Sequence, residues 1–543
     1  MTSGQKQFAD SVASTLAELG ATQISFRLSN SQPVWQFELS DGDHVWLLEL
    51  CPAGWDFFRL PSVNWLTSLP VWGWPHISGS GDVCVSDREG LDYDPNDITG
   101  VLNWLLAEVT RLLREFHGMS NSERLSLFAD ELEGYLKNLG ARFAQLDEQL
   151  SANQAVYAEV HNQKLGLKTV PILRRVNTGS TALVNCQQVR IGLLDVSIHQ
   201  LPPLKSELDA NWWQQFLNCL DETQHAIATS PKHQGLVLRV ANNYGHALLA
   251  LYWGRNRGNK KPWAAAVYLL QRQDRDYLIR RTGGTVLDRH VLVAGVGAIG
   301  SRVAEHLALA GVSKLTLADH DIFSADNLGR HVLGKDAISK KKVEALASFL
   351  AERMPGIDIV PEATDIQRLI DKGIPADVDT IVLATGNAPL ERAIVRQAYR
   401  EQWSVLIVST SVEAVGLGGH VIAMQPGTAG CLDCLYIDPE TQQPIASMRT
   451  ALIKPGQVVT RQLTGCGAFT PYTSIDATRT ALIAAEHVIN QMLGYSRWVG
   501  DTTQAKNANI SPSDTYWALR SQRIPTFLSS SDFTHPECPC CSA

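Results

Sequence analysis

The chain has 543 residues, more than one hydrophobic core usually organises, so about two to four domains are expected. Apolar residues make up 45% and charged residues 19% of it, which excludes a disordered or fibrous chain. With 47 Lys and Arg against 55 Asp and Glu the formal charge is −8, which excludes a global basic field for nucleic acid or an anionic membrane.

The first twenty residues alternate polar and apolar positions at helical spacing and lack the basic start and apolar block of a signal peptide. The richest apolar run, Ala264 to Leu270, is too short to span a bilayer. A soluble protein is expected. Ten cysteines are too few for a disulfide scaffold in a chain this long, and their clustering points to chemistry and metal in a reducing cytoplasm.

Residues 1–118 read as an α+β domain: a leading helix, strand-like runs at Gln23–Arg27 and His44–Leu50, and a closing helix. In that helix Val101, Leu102, Leu105, Leu106, Val109, Leu112, Leu113 and Phe116 form one apolar stripe. Residues 119–280 are poor in motifs, helix-like around Ser122–Asn153 and strand-like at Leu236–Val240, and read as a linker or adaptor region. From 281 to 543 apolar strands (HVLVAGV, SKLTLAD, IDIVPEA, DTIVLAT, SVLIVST) alternate with helical patterns, which predicts a doubly wound parallel α/β sheet of Rossmann type with a cysteine-rich tail.

The first of these strands runs into Gly295-Val296-Gly297-Ala298-Ile299-Gly300 and then a helix. The glycines let the backbone turn sharply and approach phosphate, and the helix N-terminus supplies unpaired N–H groups. Nineteen residues past Gly300, Asp319 ends the next strand, placed to accept ribose hydroxyls. A tight turn with nothing bound is the bland alternative. A nicotinamide site and an ATP site share these features, and the residues that follow separate them. Asp321, Asn327, Arg330 and Lys342 form a charged series suited to a triphosphate under attack by a carboxylate; otherwise Arg330 and Lys342 are solvated surface charges.

Over about 285–490 the chain resembles the ubiquitin-activating and molybdopterin or thiamine biosynthesis adenylyltransferases, through DHDIFSADNLGRHVLG and the lysine on the next helix. The resemblance implies ATP and magnesium, with Asp319 on the ribose, Asn327 and Arg330 on phosphates and Lys342 on the triphosphate. It also implies homodimers. The family places a magnesium-binding Asp after the strand resembling DTIVLAT, where this chain has Gly386-Asn387. Asp379, Asp321 and Glu391 are the candidates to replace it.

Cys431-Leu-Asp-Cys434 and the tail Cys538-Pro-Cys540-Cys541 offer two CxxC-like pairs. Brought together, Cys431, Cys434, Cys538 and Cys541 make a tetrathiolate zinc site, which the adenylyltransferases often have; the alternative is a redox or free-thiol pair, with Cys540 leaving the ligand choice open. Cys466, flanked by glycines just before a helix expected near Thr473, is an accessible thiol near a helix N-terminus. It resembles the cysteine of activating enzymes that receives a protein C-terminus as thioester. A buried structural cysteine is the alternative there, and Cys540 is the next candidate nucleophile.

In the first block, Trp74-Pro75-His76 lies eight positions before Cys84, and Tyr93-Asp-Pro95 precedes the closing helix. This segment resembles the active site of ubiquitin-conjugating enzymes, with His76 where the family has Asn, and implies Cys84 as carrier. An imidazole can stabilise an oxyanion or take a proton from an amine. Cys51, Cys186 and Cys219 read as core residues.

Together these modules resemble the conjugating enzymes of CBASS antiphage operons. The implied sequence is adenylation of a glycine-like C-terminus, capture by Cys466, transfer to Cys84 and conjugation to an amine, with a cyclic-nucleotide synthase as the protein activated. The rivals are conjugation of a separate bacterial ubiquitin-like protein, a sulfur-carrier adenylyltransferase, a nicotinamide-dependent oxidoreductase and a non-catalytic scaffold.

Overall fold

The structure is a computed structural model that describes residues 1–69, 71–85, 91–146, 149–151, 154–165, 168–179, 186–254, 264–462 and 468–542. Two compact units divide the chain, 1–273 and 274–543.

The first unit begins with the helix Ser3–Glu18, started by Thr2, which caps Gln5 and is capped by it in return. Strands Ala21–Ser29, Gln32–Ser40, Val45–Cys51 and Ser62–Trp65 follow as an antiparallel meander. The helix Ile98–Gly118 covers it. Its start is fixed by Asp97, whose carboxylate accepts the Gly100 N–H at 2.8 Å. The stripe from Val101 to Phe116 is buried and meets Trp35, Phe37, Leu48 and Leu50 from the sheet.

Residues 119–273 form a second folded body in this unit. The expected helix over 122–153 is found as Asn121–Phe128 and Leu132–Asn138, after which Arg142–Leu146 is a strand. Seven strands close on themselves as a barrel: Gly245–Tyr252, Gly235–Asn242, Gln187–Val196, Val156–Leu165, Lys168–Asn177, Arg142–Leu146 and Ala264–Arg272, the last pairing back to the first. Val156, Leu173, Val189, Val237 and Tyr268 belong to one of its cores, and a second core joins it to the helices around it.

In the second unit eight strands form one sheet, in the order Asp358–Glu362, Val312–Ala318, Leu287–Ala294, Thr380–Leu383, Leu406–Val412, Gly418–Met424, Gly494–Val499, Phe527–Leu528. Only the first five are parallel; Gly418–Met424 and the two after it run antiparallel. The sheet is therefore mixed, a correction to the all-parallel expectation. Helices Gly300–Leu309, Lys342–Arg353 and Ser474–Asn490 pack on one face, and Ile366–Lys372 and Ala388–Arg400 on the other. Among the described residues no helix is long and apolar enough to cross a membrane.

Leu113 is completely buried under the meander. Leu113→Ala is expected to cost roughly 2–5 kcal/mol through lost burial and a cavity, read as a lowered unfolding temperature of the purified chain.

Candidate functional site

The glycine loop begins where the strand Leu287–Ala294 ends. Gly295 has φ +81°, and a Cβ there would lie 2.7 Å from the Ala384 carbonyl oxygen. At Gly300 a Cβ would lie 1.9 Å from the Gly295 oxygen, so the helix starts against its own turn. Gly297 has open space beside it. Two side chains pin the loop. Asp319 accepts the Val296 N–H at 2.9 Å and, through its other oxygen, the Asp321 N–H at 2.8 Å. His331 Nε2 lies 2.7 Å from the Val296 carbonyl, while its Nδ1 accepts the Leu333 N–H at 3.1 Å.

In front of the loop lies a cavity of about 450 Å³, lined by Gly297, Asn327, Arg330 and Lys342 among others. Gly295, Gly300, Asp319 and Asp321 stand behind this wall and shape it. Lys342 is 6% exposed and pairs with Asp321 at 2.7 Å, and this ammonium holds the Asp321 carboxyl below the usual carboxylate range. Asn327 accepts the Ser324 N–H at 3.0 Å and its hydroxyl at 3.3 Å, which commits its oxygen and leaves its NH₂ donors for a ligand. The Arg330 guanidinium sits 4.9 Å from the centre of the Tyr472 ring and donates to the Thr470 carbonyl at 3.4 Å.

Of the three carboxylates considered for magnesium, only Glu391 lines the cavity. It accepts the Thr385 N–H at 3.1 Å, the Thr385 hydroxyl at 2.7 Å and the Ser409 hydroxyl at 2.6 Å. Burial pushes its carboxyl up to about 7. Asp379 lies just before the strand Thr380–Leu383, at the end of it away from the glycine loop, where it accepts the His290 N–H at 2.9 Å. Asp321 is committed to Lys342. Asn387 caps the helix Ala388–Arg400 by accepting the Leu390 N–H at 3.2 Å.

Cys431, Cys434, Cys538 and Cys541 converge, with Cys431 Sγ 3.9 Å from Cys434 and 3.5 Å from Cys538, and Cys434 Sγ 3.4 Å from Cys541. All four sulfurs lie within 4.8 Å of one another. A tetrahedral site with 2.3 Å zinc–sulfur bonds needs sulfurs about 3.8 Å apart, so the group has the right size and chemistry. Cys540 stands outside it. Cys466 lies outside the described residues; the helix that follows begins at Ser474, capped by Thr473 and Asp476.

In the first unit Cys84 is exposed and closes a hairpin, its N–H donating to the His76 carbonyl at 2.7 Å. Trp65 N–H donates to Gly81 O and Val83 N–H to Val63 O, each at 2.8 Å, which stitches the hairpin to the strand Ser62–Trp65. His76 has φ +57°, and its ring stacks on Phe116 at 5.8 Å. Cys219 is exposed and Cys51 and Cys186 are half-buried, so none of the three is the core residue expected. Burial and the neighbouring Glu49 push the Cys51 thiol up to about 12, which keeps it protonated and inert.

Residues 278–522 match the model of the ThiF family. Residues 278–522 thus form a ThiF-type domain. Its relatives include the sulfur carrier protein ThiS adenylyltransferase of Escherichia coli, 30% identical over 168 residues, 31% of this chain and 64% of that protein. The similarity reaches beyond the ThiF half in the ATP-dependent ubiquitin transferase-like protein Cap2 of Pseudomonas aeruginosa, 28% identical over 414 residues, 70% of this chain and 74% of that one. Of solved structures, E. coli MccB with succinimide covers 47% of this chain and 66% of its own at 16% identity and a TM-score of 0.32, too low to carry an argument.

Within the ThiF half, sequence reasoning assigned no role to His331, although it quoted the residue beside Arg330. The neutral imidazole is fully used, Nε2 donating and Nδ1 accepting, so a second proton would break the Leu333 bond. Burial lowers its pKa from 6.5 to about 4. The unfolded chain then binds more protons in this window, and stability is lost as pH falls from about 6.5 toward 4. Between pH 7 and 5 the wild type is expected to lose about 2 kcal/mol more than His331→Gln, measured by urea unfolding.

Proposed function

We propose that the chain activates the C-terminus of a partner protein with ATP, carries it as a thioester and joins it to an amine, as an antiviral conjugating enzyme of the CBASS kind. The observation that carries this reading is one cavity lined by Gly297, Asn327, Arg330 and Lys342 in a ThiF-family half, on a chain similar to Cap2 over most of its length.

In the first step a glycine-like C-terminal carboxylate attacks the ATP α-phosphorus. A carboxylate–phosphorus bond forms and the bond to pyrophosphate breaks. Arg330 and Lys342 supply positive charge where negative charge builds on the phosphates, Asn327 donates from its amide, and Asp319 commits both carboxylate oxygens, one to anchoring the glycine loop and the other to the Asp321 N–H. Magnesium would add further neutralisation when bound; Glu391, pushed up to about 7 by burial with both oxygens already accepting from Thr385 and Ser409, is a poor ligand for it. Cys466 thiolate then attacks the acyl carbon, forming a thioester and releasing AMP. Exchange to Cys84 follows, and an amine displaces the Cys84 thiolate to leave an isopeptide bond, with His76 taking the amine's proton. Cys431, Cys434, Cys538 and Cys541 would hold a structural zinc.

The partner is a cyclic-nucleotide synthase in this scheme, and a ubiquitin-like protein in its nearest variant. The enzyme is a cytoplasmic homodimer joined through the adenylating half. The sulfur-carrier alternative draws on the kinship with ThiS adenylyltransferase, but it gives Cys84 nothing to do.

Purified chain is incubated with Mg-ATP and each candidate partner. ATP–pyrophosphate exchange is expected to fall about a hundredfold in Arg330→Ala and in Lys342→Ala. A dithiothreitol-sensitive adduct is expected on non-reducing gels; it is lost in Cys466→Ala, whereas in Cys84→Ala it stays on Cys466 and reaches no amine; no exchange and no adduct with any partner sinks the scheme. Metal analysis is expected to find about one zinc per chain, with Cys434→Ser losing the ion and unfolding at lower temperature.

A further inference from the structure

His76 does not hold its position alone. Its backbone N–H donates to Glu131 Oε2 at 2.7 Å, and its ring Nε2 lies 3.2 Å from Glu131 Oε1. One carboxylate thus grips both ends of a residue 55 positions earlier in the chain. The grip matters because His76 has φ +57°, a left-handed conformation that costs a non-glycine residue about 1 kcal/mol or more unless something holds it.

Glu131 comes from the segment after the closing helix, and that segment is moulded to the hairpin. A Cβ at Gly79 would lie 2.5 Å from Leu139, and one at Gly73 would lie 3.0 Å from Leu125. Arg124 stacks its guanidinium 4.4 Å from the Trp74 ring centre and donates to the Phe116 carbonyl at 3.0 Å. Trp72 packs edge-on against Phe128 and Tyr135, at 4.9 and 5.5 Å. A surface acid meeting a histidine by chance would not come with such a fitted base.

The pair is partly exposed, with 43% of the His76 and 35% of the Glu131 side chain open to solvent. Such pairs contribute little to folding. What the carboxylate does fix is the proton on the ring. Its negative charge, 3.2 Å from Nε2, favours a proton on that nitrogen in the neutral imidazole and leaves Nδ1 as the nitrogen with the lone pair.

We infer that Glu131 is a positioning residue of the Cys84 site, holding His76 in its turn and in the Nε2–H tautomer so that Nδ1 can take a proton from the attacking amine. This rests on the carrier reading of Cys84. In the step it serves, the amine nitrogen bonds to the thioester carbon, the carbon–sulfur bond breaks, the electron pair returns to Cys84 Sγ and the amine's proton passes to Nδ1. The region after residue 118 then completes the carrier site instead of merely connecting two domains.

The test bypasses ATP. Full-length chain is charged directly with the 2-mercaptoethanesulfonate thioester of glycylglycine, and the adduct is assigned to Cys84 by its loss in Cys84→Ala. Discharge to added lysine is followed by intact mass and expressed per charged Cys84. Glu131→Ala is expected to slow discharge about tenfold, part of the 10²–10⁴ that a placed proton acceptor contributes. Glu131→Gln, whose amide oxygen can still accept the His76 backbone N–H but carries no charge beside the ring, should recover part of it. In parallel, ring nitrogen shifts of ¹⁵N-histidine-labelled chain at pH 8, with His76 assigned by its absence in His76→Asn, should show the Nε2–H form in wild type and a gain of the Nδ1–H form in Glu131→Ala. Equal discharge in wild type and Glu131→Ala overturns the inference, and so does an unchanged tautomer. If wild-type Cys84 cannot be charged, the carrier reading falls, and the tautomer alone then decides whether Glu131 holds the ring.

Discussion

The second unit depends on a turn that tolerates no side chain at its closest approach. With a Cβ at Gly300 only 1.9 Å from the Gly295 carbonyl, the helix Gly300–Leu309 can begin where it does only as glycine. That start brings backbone N–H groups to the edge of the cavity. The loop between the two glycines is then held at Val296 from both sides, its N–H by Asp319 and its carbonyl by His331. Because His331 follows directly on Arg330, the same bond that fixes the loop fixes the segment carrying the guanidinium. The cavity-facing backbone and the cavity-facing charge are therefore tied into one piece.

Much of this was readable in the sequence because it is local. A glycine turn between an apolar strand and a helix, or an apolar stripe from Val101 to Phe116, is written in neighbouring residues. The antiparallel half of the sheet was not readable, since Gly418–Met424 and Gly494–Val499 carry no mark that tells direction. The barrel in 119–273 escaped because its closure depends on pairing between Gly245–Tyr252 and Ala264–Arg272, which no periodicity announces. Cys219 misled because it sits between leucines; it is the residue that ends the helix Ala210–Asn218, and its position at that terminus exposes it. Glu131 gave no signal at all. Nothing in its surroundings distinguishes it from other acids, and its partner is 55 residues away.

Some buried polar groups in the ThiF half are linked into networks that join separate elements. His420 joins Tyr495 at 2.7 Å and Glu413 at 3.1 Å, and Glu413 also accepts the Leu452 N–H at 2.9 Å. Two strands, the turn after a third and a loop are thus tied by one chain of side chains. In a low-dielectric interior such a network specifies a single arrangement, because any shift strands a polar group.

Asp433, between the first two cysteines, is almost completely buried and meets the guanidinium groups of Arg392, at 2.6 Å, and Arg396. Both arginines lie on the helix Ala388–Arg400, whose first turn carries Glu391 at the cavity wall. One rigid rod therefore has the nucleotide cavity at one end and the thiol cluster along its flank. The tail's fastening, 107 residues on from the first pair of thiols, is in this sense a ballast for the wall of the cavity.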